Sequence, residues 1–597
     1  MMCLGAGSDA QARNIYLNTG GTELWSKDGA TFFVHSWGGV AEADLKMTHK
    51  DGDIYETAVP DDNTKIIFVR MPADATTLSW NDKWNQTSDL IIPDGKNLYA
   101  ITGWGEQDGL WSVYGQETPG GDNENGGGES GQEQGITDPD ADFATAVPAE
   151  CEDVMLQAFY WDSQSDKGFG DTKWQTLYGQ TDEIGKYFTL VWLPPSSRPS
   201  GISSGLGYIP DDYTNQSCHL GLKANLKYLL QSLHERKVRV LADIVINHCG
   251  NYNNKCNFFE FDFGEYGKFQ PTKDWITSDD EGGCGSSGHQ DDGQHEANYG
   301  SARDWDHQNT QVQDMCKAYL KWMHKEMLYD GFRFDYCGGY HVSHLKDYVT
   351  SAKPYFSVME YWYGDAATLK TRIDEAGKAT LAFDFANMYT ALRVGIAKGN
   401  YNNCKNSGLR GQGYSKYAVT FVDNHDTFNR SDNNVPDVCG KYDGASIHNA
   451  AVMLQTNAYI LSLPGVPCVF WPHWVQYKTE IQKMITARRK AGIHSESQME
   501  ETAGSGYYEA IVHGKYGDVV LYLGTSAAKA APESFTEAAR GEGYAMFYTT
   551  SKTAIPEVLA AQSAPDWTMP AYNLTGQPVS AGYQGIVIQN GRKYLLK

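Results

Sequence analysis

Between residues 151 and 493, short apolar runs alternate with longer stretches whose apolar residues recur every three or four positions. The runs at 154–161, 190–195, 238–247, 331–336, 356–362, 380–385, 417–424 and 467–471 are five to ten residues long and rich in β-branched and aromatic side chains. That length and composition suit buried strands. Between them, Leu222, Leu226, Leu229, Leu230 and Leu233 share one helical face, as do Val312, Met315, Tyr319, Met323 and Met327. Such stripes mark helix faces turned to a core. Parallel strands need crossover connections, usually helices. Eight strand candidates with helical patterns between them therefore predict an α/β protein built on a (β/α)8 barrel over 151–493.

The regularity breaks in recognisable places. A segment at 249–303, rich in Gly, Asp and Asn, follows the third strand and predicts an inserted lobe beside the barrel mouth. Residues 1–115 read as short β-prone runs (14–17, 31–34, 65–69, 98–102) separated by Gly, Asp and Asn turns, the pattern of a β-sandwich. Residues 116–150 hold nine acids and seven glycines with no Lys or Arg, which predicts a self-repelling flexible linker. After 494 the pattern returns to strands, giving an antiparallel β-domain at 494–551 and a strand–turn–strand tail at 552–597.

Composition narrows the function classes. Over 597 residues, 74 Asp and Glu against 49 Lys and Arg leave a net charge of −25, a field that repels nucleic-acid backbones and anionic lipid surfaces. Thirty-seven Tyr and sixteen Trp suit ligands with flat apolar faces and polar rims, sugars among them, although the same rings serve as core. Eleven scattered cysteines make no disulfide framework and contain no CxxC pair. No apolar run reaches membrane-spanning length, and Met1-Met2-Cys3-Leu4-Gly5 lacks a hydrophobic signal core.

The chemistry-bearing residues fall at the C-terminal ends of the predicted strands, where barrels of this kind build their sites. They are Asp243, Asn247 and His248 after the third, Arg333 and Asp335 on the fourth, Glu360 after the fifth, and His425 and Asp426 after the seventh. One carboxylate there reads equally well as a structural cap, and one His as a satisfied core residue. Three carboxylates converging on one mouth point to chemistry, because buried acids are costly unless paired or used. Paired carboxylates suit glycosidic bond cleavage, one protonated and one ionised. Arg333, on the same strand face as Asp335, is expected to hold Asp335 ionised. The apolar flanks of Glu360 suit a raised pKa and a general acid.

The segments "VWLPPSS", "GYIPDDY", "ADIVINH", "DWDHQNTQVQ", "DGFRFDY", "VMEYW", "FVDNHD" and "AGIHSES" stand in an order that resembles the α-amylase family of glycoside hydrolases, the plant type in particular, across about 151–550. The resemblance implies Asp335 as nucleophile, Glu360 as general acid/base and Asp426 as transition-state stabiliser. Arg333 orients Asp335, Asp243, His248 and His425 line the same subsite, and Tyr208 stacks on the sugar. It implies a retaining mechanism, with starch and related α-glucans as substrate. It also implies a structural Ca²⁺ held by Asn247, Asp304 and the carbonyl of Gly339, with a further acid from Asp291 or Asp292; Asp292 is taken here. One departure stands out: Gly338 in "DYCGGYH" occupies the position where the family often carries a Lys that contacts sugar on the leaving-group side.

The N-terminal region resembles bacterial starch-binding modules through "IYLNTGG", "FFVHSWGG" and "KIIFVR…WNQTSDL". That likeness implies a platform of Trp37 and Trp84 with His35, Phe33 and Gln86 nearby; the plainer alternative is that these rings only pack the sandwich. The tail is similar to C-terminal segments of exported Gram-negative proteins. Together these give the expectation of a monomeric, secreted or cell-surface bacterial endo-α-amylase that depends on Ca²⁺. A glucanotransferase or maltogenic exo-enzyme on the same barrel, and a starch-binding protein without activity, are the competing readings.

Overall fold

A computed structural model of the protein describes residues 12–596 apart from 21–23, 93–95, 102–103, 105–108, 113, 115–135, 137, 165–167, 201–205, 251–255, 280–283, 296–298, 300–301, 429–449, 551–569, 574–576, 581–584 and 590–591. Eight parallel strands close into a barrel: β1 (Met155–Gln157), β2 (Leu190–Leu193), β3 (Arg239–Ile244), β4 (Gly331–Phe334), β5 (Phe356–Met359), β6 (Leu381–Phe383), β7 (Ala418–Phe421) and β8 (Val466–Phe470). Each overlaps one predicted run. The first seven are shorter than their runs because the residues that follow turn away to build the mouth, and the eighth matches its run in length.

The predicted Leu stripe lies on the helix Lys223–Glu235, which buries Leu226, Leu229, Leu230 and Leu233. Burial of each is worth about 1.5–3 kcal/mol, well above any difference in helix propensity. The second stripe lies on Thr310–Lys325, where Asn309 caps the N-terminus by accepting from the amide of Gln311. Met327 falls beyond that helix but is fully buried.

Gly331 opens β4 at a point of close approach. A Cβ there would come 2.6 Å from Leu241 Cδ2 and run into the backbone carbonyl of Phe356. The strand that carries Arg333 therefore starts pressed between its two neighbours.

Among the described residues of the N-terminal region, two five-strand sheets face each other over a core of Ile15, Trp25, Phe32, Val34, Val59, Phe68 and Tyr99. Residues 116–135 and 137 of the expected linker lie outside the described residues. Its last part does not behave as a free linker. Ala146 and Val147 are buried, Phe143 N–H donates to the Lys353 carbonyl, and Ser357 N–H donates to the Ala146 carbonyl. The apolar residues of 143–147 give that end something to bury.

The inserted lobe follows β3, and within it Cys256 and Cys284 form a disulfide. The scattered cysteine spacing gave no sign of that bridge, since pairing depends on proximity in space. Five antiparallel strands from Gln498–Gly504 to Tyr544–Tyr548 follow the barrel, and a four-stranded sheet spans Ala571–Asn573 to Arg592–Leu596. No helix among the described residues is long and apolar enough to cross a membrane.

Candidate active site

Strand register brings the acids together. Asp243 on β3 stands opposite Arg333 on β4, and Arg333 stands opposite Val358 on β5. Side chains two apart share a face, so Arg333 and Asp335 point the same way. The Arg333 guanidinium is 2.7 Å from Asp243 Oδ1, 2.6 Å from Asp335 Oδ1 and 2.8 Å from Glu360 Oε1. Tyr336 follows at φ 50°, a left-handed conformation costly for a non-glycine residue. That turn aims its N–H at Glu360 Oε2, 3.0 Å away. The strained residue thus links the ends of β4 and β5.

The remaining acid comes from the turn after β7. Asn424 Oδ1 accepts from the backbone N–H of Asp426 and of Thr427, both at 2.9 Å, which fixes the turn. His425 Nε2 lies 3.1 Å from Asp426 Oδ2, and Gln157 Nε2 lies 3.0 Å from His425 Nδ1. With Asp426 ionised, Nε2 carries the proton and Nδ1 accepts from the Gln157 amide, so Gln157 sets the tautomer. The His425 ring lies nearly parallel to Tyr208 (5.0 Å, 4°) and to Trp161 (6.2 Å, 5°). These rings form an aromatic wall above the carboxylates.

Burial dominates the electrostatics. The carboxyls of Asp243, Asp335 and Glu360 are all raised above their ordinary range, first by desolvation, with the Arg333 charge opposing. Asp335 stands well above it, pushed further by Glu360 and Asp243, and Glu360 is pushed further by Asp426. Arg333 lowers the Asp335 pKa, as expected of an opposite charge, but it is shared with two further carboxylates. One guanidinium serves three carboxylates, so the cluster retains a proton where a single pair would not.

Two expected subsite residues act from behind. Asp243 Oδ2 accepts from Trp192 Nε1 (3.0 Å) and Tyr208 OH (2.8 Å), which completes its pairing. His248 Nε2 donates to the Tyr208 carbonyl (2.7 Å), and its Nδ1 accepts from Asn247 Nδ2 (3.2 Å). Burial lowers its pKa to about 4, so it is neutral with both nitrogens engaged. It buttresses Tyr208 rather than presenting a free donor to a sugar.

The expected Ca²⁺ set fits an oxygen cradle with one exchange. Asn247 Oδ1 is buried with no hydrogen-bond partner, while its Nδ2 donates to Asp304 Oδ1 at 3.0 Å. An orphaned buried acceptor facing carboxylate and carbonyl oxygens suits a hard cation. Asp292 is not part of this set. Its oxygens accept from His341 N–H (3.0 Å) and His344 Nε2 (2.9 Å). Asp291, the other acid named for this position, has its Oδ2 3.2 Å from where a Cβ on Gly293 would sit, and the Gly339 carbonyl lies 3.0 Å from the same point. Burial and the neighbouring Asp279 and Asp292 push Asp291 up to about 6. Among the described residues no three His, Cys, Asp or Glu side chains form a metal cluster, and this cradle draws half its oxygens from an amide and a peptide carbonyl. A Cβ on Gly339 would collide with Asn247 Oδ1 and come within 2.8 Å of the Tyr336 ring. Gly339→Ala is therefore expected to abolish the gain in melting temperature on adding Ca²⁺ to chelator-treated protein, at an intrinsic cost of about 1–3 kcal/mol. Calorimetry with and without Ca²⁺ reads this directly.

The expected starch platform divides in two. Phe33 is buried with Ile67, Val69 and Met71, so it is core. Trp37 and His35 form one surface patch with Trp80, with ring distances of 5.0 Å and 5.5 Å from His35. Trp84 lies elsewhere. Trp37 pairs with Lys65 at one end of the strand Lys65–Met71, and Trp84 binds Arg70 at the other, roughly 16 Å away. There Trp84 and Trp104 flank the Arg70 guanidinium, 4.8 Å and 5.3 Å from the ring centres. Gln86 sits with Trp84, on the short strand beside Val69. Alternation along the strand 31–37 could have shown Phe33, His35 and Trp37 to share a face; that loop 72–84 covers Phe33 and brings Trp80 to His35 was not readable.

The alpha-amylase catalytic domain family matches residues 182–381 of the chain. The probable alpha-amylase 2 of Arabidopsis thaliana is 30% identical over 425 residues, which cover 66% of this chain and 94% of that protein. The chain belongs to the alpha-amylase family. Alpha-amylase 3, chloroplastic, of the same plant is 29% identical over 394 residues, 61% of this chain and 40% of that protein. The crystal structure of an alpha-amylase from Geobacillus thermoleovorans complexed with acarbose superposes with a TM-score of 0.50 at 16% identity. It covers 68% of this chain and all of that one, and shares the fold. As a family member the chain is a glycoside hydrolase acting on glucans. The expected bacterial cell-surface or secreted location is corrected by these relatives: both plant proteins are from Arabidopsis, which points away from a bacterial origin.

Sequence reasoning missed Gln157, Trp161, Trp192 and Trp80. Gln157 carried the clearest signal, a polar residue in an otherwise apolar strand run.

Proposed function

We propose that this alpha-amylase family hydrolase cleaves internal α-1,4-glucosidic bonds of starch-type glucans with retention of configuration. The observation that carries this reading is the single guanidinium of Arg333 shared by Asp335 and Glu360. It holds two carboxyls with raised pKa side by side at the mouth. A nucleophile–acid pair needs that closeness, whereas an inverting pair leaves room for a water between its members.

In the first step Asp335 attacks the anomeric carbon. Glu360 passes its proton to the glycosidic oxygen, the C–O bond breaks, and the shortened glucan leaves. In the second step Glu360 takes a proton from water, the oxygen attacks the anomeric carbon, and Asp335 is released. Asp426, held by the Asn424 turn and the His425 Nε2–H, faces the sugar hydroxyls. Tyr208 and Trp161 provide the stacking wall. Asn247, Asp291, Asp304 and the Gly339 carbonyl would hold a structural Ca²⁺, which supplies rigidity between β3, the inserted lobe and the turn after β4.

The His35, Trp37 and Trp80 patch is the best-supported starch-binding surface on the N-terminal sandwich. His35 is braced for that role by Asp44, 2.7 Å away.

Digestion of amylose with product lengths followed over time tests the proposal. Early mid-length oligosaccharides, diminished after chelation and restored by Ca²⁺, are expected. A single short product from the start would favour exo-action or transfer. Starch retention without products would favour the binding-protein reading.

A further inference from the structure

The glycine at 338 leaves no side chain three residues after Asp335, in the turn after β4. The Gly338 carbonyl accepts from the backbone N–H of Gln294 (2.8 Å) and of His295 (3.1 Å), which ties the lobe to the turn after β4. The His295 side chain is exposed. Its ring meets Tyr363 edge-on at 4.6 Å and 87°, and lies 6.0 Å from Tyr361, the residue after Glu360. Tyr363 is itself partly exposed.

We propose that His295, braced by Tyr363, forms a subsite for the glucosyl units of the leaving group and so sets where along a glucan the chain is cut. The assignment rests on the hydrolytic reading above. Glu360 delivers its proton to the departing oxygen, so the sugars behind that oxygen lie on the Glu360 side of the mouth. The residues on that side, at Tyr361 and Tyr363, are those that His295 meets. An imidazole both donates to and accepts from sugar hydroxyls, and the Tyr363 ring offers an apolar face to a pyranose. Because the tie runs through backbone atoms to Gly338, changing His295 leaves the junction of lobe and barrel in place.

The test compares two substrates in wild-type and His295→Ala protein: maltohexaose, whose leaving group carries glucosyl units, and 4-nitrophenyl maltotrioside, whose leaving aryl group carries none. The ratio of their kcat/KM values is expected to fall about tenfold in the variant, and the cut in maltohexaose to move towards shorter leaving groups. His295→Gln keeps hydrogen-bonding capacity and is expected to recover most of the ratio, which separates a sugar contact from loss of packing. If His295→Ala does not fold, His295→Phe, which fills the same space without a ring nitrogen, takes its place. A ratio within about twofold of wild type in the folded variant overturns the subsite, and so does a fall of about tenfold that His295→Gln does not recover. Wild-type protein inert on both substrates would overturn the hydrolytic reading itself, and the subsite with it.

Discussion

Glu360→Gln is expected to lower kcat on amylose about a thousandfold, a loss of ~4 kcal/mol in transition-state stabilisation. Glutamine keeps the size and one acceptor oxygen but has no proton to give. The Tyr336 N–H that reaches Glu360 Oε2 can still find an oxygen, while the amide NH2 then stands where Arg333 met Oε1. The loss should therefore depend on the leaving group. A maltosyl fluoride needs no proton to depart, and its first step should be nearly restored in the variant. Burst kinetics with the fluoride, set beside steady-state rates on amylose, measures this. Equal losses on both substrates would remove Glu360 from the acid role and leave it a structural partner of Arg333.

Arg333→Met is expected to cost about 3–5 kcal/mol of stability and lower the melting temperature by about 10 °C, besides ending activity. Arg333 is 1% exposed and is the cation shared by Asp243, Asp335 and Glu360. Without it three buried carboxyls face one another unscreened. Their pKa values already lie above the ordinary range and would rise further. A carboxyl whose folded pKa is raised favours the folded state when protonated, and that contribution is lost as pH rises through the folded value. The deficit of the variant should thus be greatest at neutral and alkaline pH. It should shrink as pH falls towards about 4, the ordinary carboxyl range. Melting curves across pH check the sign. A deficit independent of pH would mean that the cost comes from lost packing against Trp192, whose ring centre lies 5.0 Å from the guanidinium.

Much of this protein is legible in its amino-acid pattern. Each of the eight barrel strands overlaps a predicted run, because apolar runs of that length between helical stripes have few other ways to be buried. The acids after β4, β5 and β7 are legible for the same reason, since a carboxylate ending an apolar strand is conspicuous. The acids of the inserted lobe are less legible: Asp291 and Asp292 are adjacent, and only the path of the lobe sends Asp292 to His341 and His344. The N-terminal platform fails in a similar way: Trp37 and Trp84 look alike in sequence, yet lie at opposite ends of one strand.

Periodicity and local composition are enough to dictate the barrel and its flanking β-regions. How charge is shared among the buried acids Asp243, Asp335 and Glu360 is settled in three dimensions. Arg333 was expected to serve Asp335, and it serves three acids, since register places Asp243 beside it and the turn at Tyr336 brings in Glu360. The folded chain likewise sets Gln157 against His425 and ties the His295 backbone to the Gly338 carbonyl. Contacts between segments so far apart in the chain depend on distances in space, and no pattern along the sequence encodes those directly.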